Sequence, residues 1–274
     1  MALVKRVWQS IGEDRLTLVA AGVAFYLFLA LFPALFAAVS IYGLVADPMI
    51  VEGQLARLSD LMPQSALDVI GAQLADITGE HQSGLGWGAA IAIVIAIASA
   101  GKGAKAMMKG LNIAYNRREE RSFFKAQAVA LLFTVSVMVF LAISLALIAI
   151  VPPLIVQLPL GVAAVIAAEV GKWVLLFVLI LLALAVTYRY APCIRPPRWY
   201  WVAPGSITAA VLWVIASGLF SWFAANFGRF NETYGILAGG VVVLLWLQIS
   251  AFVVLLGAEV NEEWERLASV GANL

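Results

Sequence analysis

Six long runs that contain no Asp, Glu, Lys or Arg dominate this 274-residue sequence. A helix that crosses a lipid bilayer needs about 20 apolar residues in succession. The whole chain is 64% hydrophobic and only 12% charged, whereas a soluble globular domain carries roughly 25% charged residues. Because such a chain cannot cover a water-facing surface, the sequence predicts an integral membrane protein. The charge-free runs are residues 16–46, 81–101, 126–168, 173–188, 199–228 and 233–258.

These runs predict six transmembrane helices. The run 126–168 is too long for one helix, and "VPPLIVQLPLG" at 151–161 is expected to break it, because consecutive prolines remove backbone donors and clash with the preceding turn. We expect 162–170 to form a separate interfacial helix, with Glu169 and Lys172 paired at helical spacing. The predicted fold class is an all-α, polytopic membrane protein with spans near 16–45, 84–102, 126–151, 171–190, 202–226 and 235–258.

The distribution of positive charge predicts the orientation of the chain. Lys and Arg are retained on the cytoplasmic side of a membrane. Fourteen of the 17 Lys and Arg residues fall in the segments before span one, between spans two and three, between spans four and five, and after span six, whereas the opposite segments carry only Arg57 and Arg229. Both termini, 1–15 and 259–274, are therefore predicted to be cytoplasmic.

The segment between spans one and two, residues 47–80, is predicted to form amphipathic helices outside the membrane. Asp47 and Pro48 suit the start of a helix, and a capping box begins a second helix at Ser65. The second helix carries apolar residues on one face, namely Leu67, Ile70, Leu74 and Ile77. These helices are free to lie on the outer leaflet, to pack over the mouth of the bundle, or to dock a partner.

Residues that carry enzyme chemistry are scarce. The chain has one histidine, His81, and one cysteine, Cys193, and a metal centre or a Ser-His-Asp triad needs more than these residues supply. No phosphate-cradling glycine motif precedes a Lys-Ser or Lys-Thr pair. We therefore predict no catalytic residue, no cofactor and no metal, and a protein that is not an enzyme.

Polar residues within apolar runs are the better candidates for function, because they are costly in lipid unless they are paired or functional. The polar stretch "NFGRFNETYG" at 226–235 joins the last two spans on the outer side, where it suits a turn and helix cap or an outer gate. Pro33 is expected to kink span one. The candidate functional residues are Asn226, Arg229, Asn231, Tyr234, Pro33, Gln248 and Glu259.

Four ordered motifs carry a resemblance that covers nearly the whole chain. They are "AAGVAFYLFLALFPALFAAVSIYGLVADP", "GLNIAYNRREERSF", "TYRYAPCIRPPRWYWVAPGSI" and "ANFGRFNETYGILAGGVVVLLWLQISAFVVLLGAEVNEEWE". Together they resemble the YihY/virulence factor BrkB family. This resemblance implies a bacterial inner-membrane protein with six helices. The older family label, ribonuclease BN, is regarded as mistaken, and the proposed roles of the family range from transport and serum resistance to movement of phospholipid across the envelope.

The resemblance also marks signature positions, to which no role is attached. They are Ala24, Phe25, Phe32 and Pro33 in span one; Asn112, Tyr115, Tyr190, Pro192, Pro197 and Pro204 around the cytoplasmic loops; and Phe227, Asn231, Tyr234, Gly235, Trp246, Gly257, Ala258, Glu259 and Asn261 in the final hairpin.

Two functions from different classes remain open. The first is a transporter-like protein that moves a phospholipid or another amphipathic solute, with membrane lipids as its partners. The alternative is a non-catalytic scaffold for envelope integrity, which would hold envelope proteins through the outer helices and the acidic "EVNEEWER" segment. A nuclease acting at the basic loop 102–125 has no catalytic residues to support it, and no specific nucleic-acid partner is predicted. The sequence does not indicate an oligomeric state.

Overall fold

The computed structural model describes residues 2–45, 82–157, 161–194, 199–226 and 236–271. Within these ranges the chain forms helices and no strand. In chain order they are α1 (Ala2–Glu13), α2 (Leu16–Val45), α3 (Gln82–Ala114), α4 (Phe123–Gln157), α5 (Val162–Tyr190), α6 (Trp199–Asn226) and α7 (Ile236–Gly271). The predicted amphipathic helices at 47–80 lie outside the described residues.

The chain divides into two compact units. One unit comprises Met1–Tyr26 and Gly103–Leu274, and the other comprises Leu27–Lys102. The first unit holds α1, the beginning of α2, the end of α3 and the whole of α4 to α7. In that unit α4 packs on α5, α5 on α6, α6 on α7, and α7 on α1. The second unit holds the remainder of α2 and the first part of α3.

Four of the described helices are long and apolar enough to cross a membrane: Phe123–Ile148, Val162–Tyr190, Trp199–Ala224 and Gly239–Ala268. A fifth candidate is the pair Lys5–Glu13 and Leu16–Phe32, which is bent by 61°. Large apolar side chains such as Leu132, Leu145 and Trp222 are mostly exposed, as they are where lipid is the solvent. The structure confirms the all-α polytopic class, whereas the count of six spans stays a prediction.

The predictions for 151–172 have mixed outcomes. The predicted break within 151–161 is confirmed, since α4 ends at Gln157 and α5 begins at Val162. The double proline at 152–153 lies inside α4 and does not cause the break; neighbouring groups in a membrane protein can satisfy the backbone atoms that proline frees. Residues 162–170 do not form a separate helix, since α5 is continuous over Val162–Tyr190. The predicted pair of Glu169 and Lys172 is confirmed, with Lys172 Nζ 2.7 Å from Glu169 Oε2.

Helix α3 extends past the predicted end of the second span, into the basic segment. This extension has one buried face, formed by Ala104, Met107, Met108 and Leu111. Their spacing of three, one and three residues is that of an amphipathic helix. The end of α3 therefore packs inside the first unit, although its other faces carry charges.

Candidate functional site

Most of the buried polar side chains of the first unit lie together at one end of its helix bundle. We call this region the polar end; it comprises the end of α3, the end of α5, the start of α6, the last part of α7 and the α1–α2 junction. The buried polar residues there are Asn112, Ser206, Glu259, Asn261 and Glu263. Burial of so many polar groups is costly unless each finds a partner, so the hydrogen bonds at this end matter for the fold.

Asn261 links α7 to α6 and to the residue that follows α3. Its Oδ1 accepts a hydrogen bond from the backbone N–H of Gly205 at 2.8 Å, and its Nδ2 donates to the hydroxyl of Tyr115 at 3.2 Å. Burial raises the pKa of Tyr115 far above that of a solvated tyrosine, so the group at this position is a neutral hydroxyl. A single amide thus connects α7, α6 and the residue that follows α3.

Tyr188 and two glycines hold α5, α6 and α7 close together. The Tyr188 hydroxyl donates to the carbonyl oxygen of Val254 at 2.8 Å. A Cβ atom on Gly257 would lie against that hydroxyl and 2.7 Å from the carbonyl oxygen of Gly205. The chain needs glycine at both positions, because the backbones of α6 and α7 approach each other too closely for any side chain.

The segment between α3 and α4 is fixed to the end of α5 by Asn112 and Arg121. Asn112 Oδ1 accepts from the backbone N–H of Cys193 at 2.6 Å, and its Nδ2 donates to Glu119 at 3.0 Å. The Arg121 guanidinium donates to the carbonyl oxygen of Ala191 at 3.0 Å and also to those of Tyr190 and Pro192. A guanidinium suits this position because a helix C-terminus leaves carbonyl groups without intrahelical partners.

The acidic end of α7 is engaged within the chain itself. Arg6 of α1 lies 3.8 Å from Glu263, and Arg266 lies 3.1 Å from Glu262 and 3.2 Å from Glu263. The segment that the scaffold hypothesis assigned to protein partners therefore pairs at least in part with α1 and with itself.

The structure describes four of the seven candidate residues, and the functional role of all seven stays a prediction. Arg229, Asn231 and Tyr234 lie outside the described residues, as does most of the stretch 226–235. Asn226 is the last residue of α6, and Pro33 lies within α2, which continues beyond it. These five residues remain predictions.

The other two candidates lie in α7. Gln248 is half-buried, and Glu259 is fully buried in the polar end. Sequence reasoning did not single out Tyr188, Arg121 or Gly205. The small residues in "APG" and "LLGAE" could have indicated a close approach of two helices. The sequence does not show that these two motifs contact each other, because they are far apart in the chain.

A second feature is a groove between α4 and α5 with a volume of about 300 Å³. It runs from Val129 to Ile143 along α4, which corresponds to about 21 Å at the rise of an α-helix. Its lining is mostly apolar, with Ser136, Thr187 and Tyr190 as the residues that carry a hydroxyl. The Ser136 hydroxyl donates to the backbone carbonyl of Leu132. Leu132 and Leu182, which also line it, are 67% and 54% exposed, so the groove opens to the outside of the bundle.

Positive charge lies at one end of this groove. Tyr190 and Val129 line that end. The Arg189 guanidinium lies 5.4 Å from the ring of Tyr190 and 4.6 Å from that of Trp199. Lys125 is exposed one helical turn before Val129, on the same face of α4. The groove therefore joins an apolar channel to a basic end.

The described residues contain no group of three or more His, Cys, Asp or Glu side chains that could hold a metal ion. What the structure offers is an apolar groove that opens to the outside of the bundle and a buried polar end that ties five segments together. These features, with four helices fit to cross a membrane, define a polytopic α-helical membrane protein.

Comparison with known proteins gives the family. The sequence profile of the virulence factor BrkB family matches residues 7–272, and the chain belongs to that family. It is 27% identical over 251 residues to the Bacillus subtilis protein YfkH, which is named as ribonuclease-like, and the match covers 88% of this chain and 87% of that protein.

Over shorter stretches the chain is also similar to proteins named UPF0761 membrane proteins. The one from Tolumonas auensis is 36% identical over 92 residues, which cover 32% of this chain and 30% of that protein. The one from Pasteurella multocida is 28% identical over 118 residues, covering 39% and 37%. No solved structure matches the chain.

Proposed function

We propose that this protein moves a phospholipid, or an amphipathic solute of similar shape, between the leaflets of its membrane. The observation that carries the proposal is the groove between α4 and α5, because it combines an apolar channel with a basic end. Its length of about 21 Å exceeds the roughly 15 Å of one hydrocarbon leaflet. An acyl chain fits the apolar part, and a phosphate fits the basic end.

The energetics favour an anionic headgroup at that end. A Lys or Arg near a membrane surface attracts anionic lipid by about 1 kcal/mol. Lys125 lies one turn before the lining residue Val129, and Arg189 directly precedes the lining residue Tyr190. The apolar lining would cover an acyl chain without presenting it with unpaired polar groups. The exposed faces of Leu132 and Leu182 leave the groove accessible from the surrounding lipid.

Leaflet exchange in proteoliposomes tests the proposal. The purified protein is reconstituted into unilamellar vesicles that carry a fluorescent phospholipid, and a membrane-impermeant quencher reports how much label reaches the outer leaflet. We expect faster exchange than in protein-free vesicles. Unchanged exchange for zwitterionic and anionic headgroups alike would show that the proposal is wrong.

Two substitutions connect any exchange to the groove. Val137 and Val135 lie on the same helix and are 40% and 46% exposed, but only Val137 lines the groove. Val137→Trp fills the groove and should slow exchange at least severalfold, whereas Val135→Trp places the same ring in lipid and should leave exchange unchanged. Equal effects of the two substitutions on lipid exchange would show that exchange does not depend on the groove.

The scaffold alternative makes a different prediction for the same vesicles. A scaffold would leave lipid exchange at the protein-free rate, and crosslinking in native membranes would recover a stoichiometric protein partner. Finding both results would favour the scaffold over transport.

A further inference from the structure

The first turn of α4 presents two phenylalanine rings that the protein leaves uncovered. Phe123 and Phe124 are 75% and 83% exposed, and their ring centroids lie 5.7 Å apart in an edge-to-face arrangement. Phe123 is also the first residue of the candidate span Phe123–Ile148, and the charged stretch 117–121 ends two residues before it. Aromatic rings at such a boundary lie between the headgroups and the acyl chains of a leaflet.

A lysine from α3 reaches one of these rings. Lys105 Nζ lies 6.0 Å from the centroid of the Phe123 ring, which is within the range of a cation–π interaction. Lys109 follows Lys105 by four residues, so it lies on the same face of α3, and it is exposed. The apolar face of α3 packs inside the first unit, which leaves the two lysines on the outer side of the helix.

Carboxylates of the chain do not neutralise these two lysines. Among the residues that the structure describes, no Asp or Glu oxygen lies within 4 Å of either ammonium group. Glu119, in the segment that joins α3 to α4, is engaged with Asn112 and Arg121 instead. Uncovered aromatic rings beside positive charge of this kind are complementary to an anionic lipid, which offers an acyl chain and a negative headgroup together.

This surface lies on a different side of α4 from the groove. Phe123 precedes the groove residue Val129 by six residues, which places the two side chains about 120° apart around the helix axis. The Phe123 ring contacts α3, whereas the groove lies between α4 and α5. Lys125, by contrast, is one turn before Val129 and belongs to the basic end of the groove. A lipid on the Phe123 surface is therefore separate from a lipid in the groove.

We propose that Lys105, Lys109 and Phe123 bind one anionic phospholipid of the leaflet in which α4 begins. The two lysines stand one helical turn apart, close enough for one phosphate to contact both ammonium groups, and the upper part of an acyl chain covers the Phe123 ring. Each lysine near the membrane surface strengthens the binding of anionic lipid by about fivefold. The site does not depend on lipid movement and would exist equally in a transporter or a scaffold.

Site-specific fluorescence quenching in reconstituted vesicles tests the site. A fluorophore is attached to the full-length protein at Ser122→Cys, in a Cys193→Ser background, so that it lies next to Phe123. The vesicles contain phosphatidylglycerol or phosphatidylcholine with brominated acyl chains, which quench at short range. The ratio of quenching by the two lipids at equal mole fraction measures the local preference for anionic lipid. We expect a preference of at least fivefold for phosphatidylglycerol.

Two matched pairs of substitutions locate the lipid. Lys105→Gln should reduce the preference about fivefold, whereas Arg118→Gln, which removes an exposed positive charge from the adjoining segment, should change it less than twofold. Phe123→Leu should reduce the preference about two- to fivefold, because leucine cannot hold the ammonium group by a cation–π interaction. Phe124→Leu removes an equally exposed ring that has no lysine above it and should leave the preference unchanged.

Three outcomes would overturn the proposal. Equal quenching by the two lipids in the labelled parent protein would show that no anionic lipid is held there. Equal reductions by Lys105→Gln and Arg118→Gln would show that diffuse surface charge attracts the lipid. A preference that Lys125→Gln abolishes and Lys105→Gln retains would place the lipid at the groove. If Lys105→Gln does not fold, the comparison of Phe123→Leu with Phe124→Leu decides the matter, because both rings are exposed.

Discussion

Gly205 and Gly257 set how closely α6 and α7 approach. A Cβ atom on Gly205 would lie 2.5 Å from Asn261 Cγ, and one on Gly257 would lie 2.8 Å from the Cβ of Ala209. Backbone atoms also stand in the way, and they cannot rotate aside as a flexible side chain can. These residues therefore determine whether Asn261 reaches the N–H of Gly205.

We expect Gly205→Ala to destabilise the protein by about 3 kcal/mol or more, at or above the top of the range typical of overpacking. Gly218→Ala is the control, since Gly218 is in the same helix with nothing within 4 Å of a new Cβ. That substitution should stabilise the helix by about 0.5–1 kcal/mol. Thermal unfolding in detergent compares the two, and similar melting temperatures would contradict the close approach.

The amide of Asn261 should matter more than the hydroxyl it contacts. Asn261→Ala removes the hydrogen bonds to both the Gly205 N–H and the Tyr115 hydroxyl and should cost about 1–3 kcal/mol, whereas Tyr115→Phe removes one hydrogen bond and should cost about 0.5–1.5 kcal/mol. Chemical unfolding of the two single variants and the double variant measures the coupling. Fully additive losses would show that the two side chains do not interact.

At the scale of elements, Arg121 joins the start of α4 to the end of α5. Its side chain is only 11% exposed. It donates to the carbonyl oxygens of three successive residues, Tyr190, Ala191 and Pro192. This arrangement satisfies carbonyls that no helical N–H reaches. It also fixes the end of α5 that borders the groove.

Arg121→Lys should therefore destabilise the protein even though the charge is kept. Lysine presents a point charge and cannot reproduce the planar fork, so we expect a loss of about 1.5–3 kcal/mol, the range for hydrogen bonds to charged groups. Arg118→Lys, on the exposed part of the same segment, is the control and should change little. Unfolding curves of both variants provide the measurement, and equal stability would show that the fork is dispensable.

The sequence predicts the elements better than their ends. Charge-free runs locate the apolar helices, because lipid excludes charges along the whole length of a span. The charge-free runs underestimate the lengths of α3 and α7, because both helices continue through charged residues. In α3 an apolar stripe supports the extension, and in α7 buried Glu259, Asn261 and Glu263 find room inside the polar end. Hydropathy does not register such residues as helical packing positions.

The polar end itself could be predicted only in part. Family resemblance marked Asn112, Tyr115, Gly257, Glu259 and Asn261 without giving them neighbours. Tyr115 and Asn261 are 146 residues apart, and no periodicity connects positions so distant.

At the scale of the whole molecule, α1 and the end of α7 lie on the same end of the first unit. The contact between Arg6 and Glu263 joins them. The excess of Lys and Arg predicts that this end is cytoplasmic. The packing of α1 on α7 leads us to predict that the two terminal segments share a side of the membrane, and the charge distribution predicts which side it is.

Cysteine labelling tests both statements. We expect single cysteines at Glu13→Cys and Glu265→Cys, each in a Cys193→Ser background, to resist a membrane-impermeant maleimide in intact cells and to react once the membrane is opened. Both parent residues are exposed. Labelling of only one position in intact cells would contradict the packing of α1 on α7, and labelling of both would reverse the predicted orientation.

Photocrosslinking tests the central claim, occupation of the groove between α4 and α5 by a phospholipid acyl chain, most directly. The protein is reconstituted with a phospholipid that carries a photoactivatable group on its acyl chain, and the crosslinked residues are identified by peptide mass spectrometry. We predict crosslinks concentrated at groove residues within 129–143 and 179–191, reduced by Val137→Trp and unchanged by Val135→Trp. Crosslinks spread evenly over the exposed apolar faces of α4 to α7, and insensitive to both substitutions, would contradict the claim.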